Sequence, residues 1–408
     1  MHTTRLILII SLTLALTAGA QTLDGRKIHV KAGDAKSLFV PISLPCDVKE
    51  AEGVVKVIEA KTGKVFPATL RDGQLVFIAE GAMPNTEHDY VVKVEPKTAE
   101  YAPRVLIDKA AEPDKVEVRI EDVLFTAYHF SNANKKPFLW PILSEGQVEV
   151  TRGYPMDPNS LPKDHPHHKS IWSAYGDLNG VDCWAEGADS GFQTSGEVTW
   201  GSGDAYGWVR AKNTWDDKDH KPILLEEREY RFYATPEKGR LFDEFITFTA
   251  DQGDVTFKDT KEGGIMALRM RSELSGKNAY ITNAMGDSGE ETCWGKPSPW
   301  CDYSGELKDA GWRGITVFDN PANLRYPTSW HVRNYGLMGA NCFGYSYFME
   351  KEYNKPLLPS ANGDYLLKKG EKLSFQYRVY VHSGDVKAAA VADRFADYAT
   401  PPVAEWAQ

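Results

Sequence analysis

The feature that most constrains this chain is a two-residue rhythm. Segments such as Glu226–Tyr233 (EEREYRFY) and Asp243–Thr249 (DEFITFT) alternate polar and apolar side chains. That is the period of a β-strand, whose successive side chains face opposite ways. Both segments read as long antiparallel strands with one wet face. Further strand-like runs are Val116–His129, Gly146–Thr151, Gly196–Thr199, Ile223–Ala234, Phe242–Ala250, Gly264–Glu273, Gly314–Phe318 and Leu373–Val381. Helical periodicity with Ala content is confined to Val386–Tyr398 (VKAAAVADRFADY). No internal repeat interrupts the pattern, so the expected fold class is all-β.

Two domains are expected. Shorter alternating segments, Ser37–Ser43, Val54–Glu59, Leu75–Ala79 and Tyr90–Val94, are separated by Gly, Pro, Asn and Asp turns and suggest a small β-sandwich over residues 21–108. The polar stretch Ile107–Lys115 (IDKAAEPDK) marks the boundary. Residues 112–408 then form a large antiparallel β-sandwich that carries the candidate site. Residues 1–20 read as a signal peptide: Arg5, an apolar stretch from Leu6 to Leu16, and Ala18-Gly19-Ala20 before Gln21. Cleavage near Ala20–Gln21 would deliver a periplasmic or secreted protein. No other segment approaches the ~18 uninterrupted apolar residues of a membrane span. About 390 residues follow the cleavage site, enough for two or three domains at about 100–200 residues each.

Composition narrows the partners. A net charge of −10 with no Lys/Arg cluster argues against nucleic acid. At 12% aromatic residues, with 11 Trp and 19 Tyr, the chain fits sugar faces stacking on rings, and equally an aromatic-rich sandwich core. The five cysteines have no CxxC spacing and an odd count, which predicts mostly free, buried thiols with Cys293 and Cys301 near enough for one bridge. Oligomeric state is not legible.

Three clusters could carry chemistry. The first runs from Asp164 through His165, His167 and His168 to Trp172, Asp177, Asn179 and Trp184. Imidazoles there could exchange protons near neutral pH or, with Asp177, hold one divalent metal ion at His165 and His167. In an extended segment His165 and His167 would face one way and His168 the other. The bland reading is a polar loop. The second cluster is Lys261-Glu262-Gly263-Gly264 leading into Arg269 and Arg271. Arg269 could anchor a carboxylate or a hydroxyl pair, and Glu262 could act as base. A charged hairpin turn before a salt-bridged strand explains it equally. The third cluster holds Trp300, Asp302, Trp330, His331, Arg333 and Asn341, with His331 either a proton-transfer partner or a satisfied structural histidine. No GxSxG, Walker loop, Rossmann fingerprint or HExxH occurs, which argues against serine hydrolases, zincins and nucleotide or flavin cofactors.

The ordered motifs DHPHHKSIWSAYGDLNGVDCW, DTKEGGIMALRMR, WCDYSG and FDNPANLRYPTSWHVRNYG resemble a family of exported bacterial proteins commonly labelled "methane oxygenase"-like. The resemblance covers roughly residues 115–385. This chain has Lys169 where the family pattern has Arg, and Cys183 where it has an aromatic. The label implies a copper-dependent membrane subunit, whose membrane helices this chain lacks. In fold the family resembles the galactose-mutarotase-like supersandwich, in which a concave sheet face holds His, Glu and Arg around a sugar.

The expected function is that of an exported carbohydrate-active enzyme. It would use His and carboxylate acid–base chemistry for elimination, hydrolysis or epimerisation on a glycan or modified sugar. His168, His331, Glu262 and Asp302 are the catalytic candidates. Arg269, Arg333, Trp172, Trp300, Trp330, Asn179 and Lys261 are the substrate-binding candidates. A non-catalytic glycan-binding protein and a copper-binding redox protein are the alternatives.

Overall fold

In the computed structural model the alternating segments are strands. The structure describes residues 22–33, 39–81, 84–349 and 362–407. The expected signal peptide and its cleavage site lie outside the described residues. Six strands come first: β1 (Lys27–Lys31), β2 (Phe39–Pro45), β3 (Val54–Glu59), β4 (Val65–Arg71), β5 (Gln74–Glu80) and β6 (Glu87–Glu95). Every second side chain of β1 and β2 is buried, as in Ile28 and Val30, or Val40, Ile42 and Leu44. These rows build the small unit's own apolar core. The chain's last strand, Val403–Trp406, pairs with β1 and completes a seven-stranded sheet.

The large unit begins with β7 (Val105–Lys109), β8 (Lys115–Ile120), β9 (Val123–His129), β10 (Phe138–Leu139), β11 (Leu143–Ser144), β12 (Val148–Glu149) and β13 (Ile171–Tyr175). It continues with β14 (Phe192–Gly201), β15 (Tyr206–Asp216), β16 (Pro222–Tyr233), β17 (Gly239–Thr249), β18 (Val255–Phe257) and β19 (Gly263–Arg269). Then come β20 (Tyr280–Asn283), β21 (Trp300–Leu307), β22 (Gly311–Asp319), β23 (Trp330–Arg333), β24 (Leu337–Ala340), β25 (Tyr365–Leu367) and β26 (Lys372–Ser383), with Val403–Trp406 as β27. The polar stretch 107–115 is where β7 turns into β8. Val105 and Ile107 are buried in the large unit's core. Residues 105–108 therefore group with the large unit, and β27 with the small one.

Two eight-stranded sheets face each other. The front sheet has the order β23-β24-β19-β13-β10-β9-β8-β7, and the back sheet the order β14-β15-β16-β17-β26-β22-β21-β20. Their inner faces share one apolar core, with Ile171, Leu268 and Met338 from the front and Phe232, Ile246 and Val379 from the back. The molecule is thus all-β: a small β unit and a large antiparallel two-sheet sandwich.

The rhythm of EEREYRFY sets the strand, and its outward row includes the exposed Glu227, but charge also enters the inward row. Glu226 and Arg228 point into the sandwich and are wholly buried, as is Glu244 on β17. Arg228 Nε lies 2.8 Å from Glu226 and 3.7 Å from Glu244. Glu226 also accepts hydrogen bonds from Asn213 (2.7 Å) and the Trp215 indole (2.6 Å). An ion cluster replaces solvent there, because a buried charge must be paired. The run Val116–His129 is two strands, split by a turn at Glu121 (φ 53°) and Asp122 (φ 64°). The C-terminal helix forms over α3 (Val391–Ala399), after two short helices, α1 (Glu290–Cys293) and α2 (Tyr345–Met349). All five cysteines are free. Among the described residues no helix is long and apolar enough to cross a membrane.

The outer faces differ. Part of the back sheet's outer face is covered by Val76 and Ile78 of β5 and by α3, which pack on Tyr206, Trp300, Phe318 and Tyr380. The front sheet's outer face carries a smaller apolar cluster that includes Phe138, Trp172, Trp184, Ala267 and Leu337. That face holds the candidate site.

Candidate functional site on the front sheet

Register aligns His129, Phe138, Trp172, Ala267, Gly339 and His331 in one row across six strands. The adjacent row, Leu139, Ile171, Leu268, Met338 and Val332, belongs to the inner core. Since side chains alternate, the first row faces outward. Its middle positions are Ala267 and Gly339, so the sheet is bare between Trp172 and His331. Arg269 stands two residues beyond Ala267 on the same face.

The segment between β12 and β13 folds over this row around Arg152, which is 1% exposed. Arg152 donates to the carbonyls of Asp164 (3.0 Å), His165 (2.9 Å) and His168 (3.3 Å) and pairs with the Asp164 carboxylate. The histidine motif is therefore a tight turn, not an extended run. The His168 amide donates to His165 O (3.0 Å), and His165 takes a left-handed φ of 41°. Such a backbone is strained for a residue with a Cβ and persists only where its surroundings fix it. Consequently all three imidazoles meet instead of splitting between faces.

The rings form a column. Tyr335 stacks on His165 at 5.2 Å, His165 on His168 at 4.9 Å, and His168 on Trp172 at 5.2 Å. Trp184 stands edge-on to His168 (5.5 Å) and stacks on His331 (6.3 Å). The first and third sequence clusters thus share a neighbour. The second joins through Arg269, which donates to both Asp164 oxygens (3.0 and 3.2 Å), contacts His168 Nδ1 (3.0 Å) and lies over Tyr335. Arginine only donates, so His168 Nδ1 is unprotonated and its proton sits on Nε2.

Burial and positive neighbours hold three of the site's histidines neutral. The His168 imidazole is pushed well below its ordinary value, first by burial and then by His167 and Arg269. His167 falls to about 3 through burial and the Lys136 charge. His331, 2% exposed, falls to about 3, mainly by burial. His165 is different: its side chain is 41% exposed, with Nδ1 3.2 Å from the Asp164 carboxylate. Charge from Arg269 and Arg152 outweighs burial and lowers Asp164. Beside the column, Lys136 and Lys169 share Glu186 (3.5 and 3.1 Å). Burial brings the Lys136 ammonium down to about 8.

The sequence candidates sort by face. His165, His167, His168, Trp172, Arg269 and His331 converge. Lys261 and Glu262 pair with each other at the start of β19, and the backbone of Lys261 favours the charged form of His331, so both border the site. Arg333 is tied to Glu290 (3.0 Å) over Trp294. Five candidates lie elsewhere. Asp302 is on the back sheet's outer face, buried against His382 (2.8 Å), Ser304 (2.6 Å) and Thr316 (2.8 Å). Trp300 packs there against the small unit. Trp330 points into the inner core and donates to Ser298 O. Asn179 and Asp177 brace turns: Asn179 bonds Asp254 O and the Thr256 amide, and Asp177 caps Gly180. Asp177 therefore does not complete a metal set with His165 and His167. Among the described residues no three His, Cys, Asp or Glu side chains are grouped to hold a metal ion.

Sequence patterning does not single out Arg152, Lys136, Glu186 or Tyr335. Only Asp164, adjacent to the histidines, carried a local signal. Several ring and guanidinium nitrogens in this cluster are buried without a hydrogen-bond partner: Trp172 Nε1, Trp184 Nε1, His331 Nδ1, Arg152 Nε and Arg269 Nε.

No curated protein matches the chain. Among solved structures, an alpha-mannosidase from Enterococcus faecalis V583 is similar over 94% of this chain and 46% of its own, at 10% identity and a TM-score of 0.42. The present chain thus spans about half the length of that neighbour. A family model spanning residues 115–396 covers the whole back sheet, the front sheet apart from β7 and every converging residue, and the chain belongs to that family, a family of unknown function (DUF6807).

Proposed function

We propose that this protein is a carbohydrate-active enzyme that works by acid–base chemistry on the outer face of the front sheet. The observation that carries the reading is the Asp164–His165 pair. A histidine oriented through Nδ1 by a carboxylate leaves Nε2 free to take or give a proton. Here the carboxylate is itself fixed by two arginines, and the imidazole is the exposed member of an aromatic column. Elimination, hydrolysis and epimerisation at a sugar carbon all require such a group. The two rings of the column that solvent reaches, His165 and Tyr335, suit a ring-shaped, hydroxyl-rich ligand, because faces stack and edges hydrogen-bond. His168 and His331, held neutral, position and hydrogen-bond; His165 moves the proton.

The test is turnover of a panel of neutral and acidic oligosaccharides, followed by proton NMR, for the native protein and His165→Ala. Loss of about 10²–10⁴-fold in rate is expected for the variant. Native-rate turnover by a folded His165→Ala variant overturns the role of His165. Sugar binding without turnover in either protein would leave a glycan-binding protein and overturn the enzyme reading.

A further inference from the structure

The charges around the column do not balance. Four buried cations, Arg152, Arg269, Lys136 and Lys169, are at most 6% exposed. They face two carboxylates: Asp164, shared by the arginines, and Glu186, shared by the lysines. The neighbouring imidazoles His167 and His168 are neutral and cannot offset the excess. Buried charge that is only half compensated is costly, and it is retained where something else completes the balance. The cations register that excess: burial and repulsion from Arg269 bring Arg152 down to about 10, and burial lowers Arg269 as well.

Geometry points the same way. Arg152 Nε and Arg269 Nε are buried donors with no acceptor. The carboxylate between the guanidinium groups, Asp164, has a side chain 39% exposed while both arginines are 1% exposed, so solvent reaches the pair at Asp164, whose place an incoming carboxylate would take. Arg269 already grips both oxygens of a carboxylate and lies over the Tyr335 ring at 4.5 Å. Across Gly336, where an added Cβ would come within 3.3 Å of Arg269 Nε, the chain has no side chain. A planar acid group and an adjoining sugar ring match that pairing of fork and aromatic face.

We infer that the substrate of this site is a carboxylate-bearing sugar, a uronic acid or an oligosaccharide containing one, with its acid group drawn to the Arg152–Arg269 pair and its ring against the Tyr335–His165 column. This rests on the carbohydrate reading above and deepens it. The chemistry is then proton removal from the carbon beside the carboxylate by His165. The C–H electron pair moves toward the carboxylate, whose growing charge the arginines oppose. Delivery of a proton from solvent to the opposite face completes epimerisation, and expulsion of the neighbouring oxygen substituent, with its proton supplied from solvent, completes elimination; in both, His165 then releases its proton to solvent.

The test compares oligogalacturonate and oligoglucuronate with their methyl esters, which keep the shape and remove the charge. Binding is read by calorimetry on His165→Ala, so that turnover does not interfere. At least about tenfold tighter binding of one free acid is expected, with the advantage falling as salt rises. Arg269→Gln should erase the advantage. If that variant does not fold, the salt dependence of the parent decides. Equal binding of acid and ester, or no binding of any uronate, overturns the substrate class. The turnover panel, which includes neutral sugars, separately decides whether the enzyme reading stands.

Discussion

At the scale of single residues, burial decides which groups can act. Histidine was legible as the functional type, yet the sequence could not rank ten histidines, because rank depends on burial and partners that only the fold supplies. His165, adjacent to its orienting Asp164, was readable as a metal ligand or a base; what separates it from His168 is exposure. The same logic governs Glu244. Arg228 lies between two glutamates, and Glu226 takes the stronger contact along with two further donors. Burial, only partly opposed by Arg228, raises the Glu244 carboxyl from 4.5 to about 7. The folded state therefore binds a proton that the unfolded state releases above 4.5. The contribution is fully present below pH 4.5 and is lost as pH rises through 7. Glu244→Gln, which mimics the protonated form, should gain stability relative to the parent between pH 5 and 8, by on the order of 2 kcal/mol. Denaturant midpoints at both pH values check this; a constant difference would mean that Glu244 is ionised throughout.

At the scale of elements, alternation located about half of the strands, and β3 has the bounds that its pattern predicts. The failures have physical causes. The outward row of β16 keeps Glu227 exposed, as a wet face would, but Glu226 and Arg228 interrupt the apolar inward row and are paired inside. The core strands β13 and β21, lying in motifs dense with Trp, Asp and Ser, carry too little period-two contrast to stand out, since both of their faces are buried. The hairpin between β8 and β9 was hidden because Glu121-Asp122 lacks the Asn-Gly signature, although both residues adopt positive φ. Replacing this pair with Asn-Gly should relieve that cost and raise stability by about 0.5–1 kcal/mol, measured by chemical denaturation. A loss of stability would show that the Glu121 ion pair with Arg104 outweighs the backbone gain.

At the scale of the whole molecule, the two outer faces of the sandwich have divided roles. The sequence suggested a small accompanying unit but not which face it would take, because docking depends on contacts scattered over distant segments. Arg71 of β4 reaches Glu229 on β16 through two hydrogen bonds (3.1 and 3.0 Å), and Arg210 and Arg231 converge on the same carboxylate. Burial opposes the Glu229 charge, but these guanidinium groups outweigh it and hold the carboxyl at about 2. Trp300, 8% exposed, packs in the same joint with Val76 and Ile78. The tryptophan that resembled a sugar platform in sequence is therefore a fastening between units, on the sheet opposite the histidine column. Trp300→Ala should destabilise the protein by about 3–5 kcal/mol through the cavity left behind, while the folded fraction keeps native ligand affinity and turnover. His165→Ala should leave stability nearly unchanged and lose turnover. Thermal melts and activity per folded molecule on the two variants distinguish these outcomes. If Trp300→Ala abolished binding in folded protein, the back sheet would share in the site and the division of faces would fail.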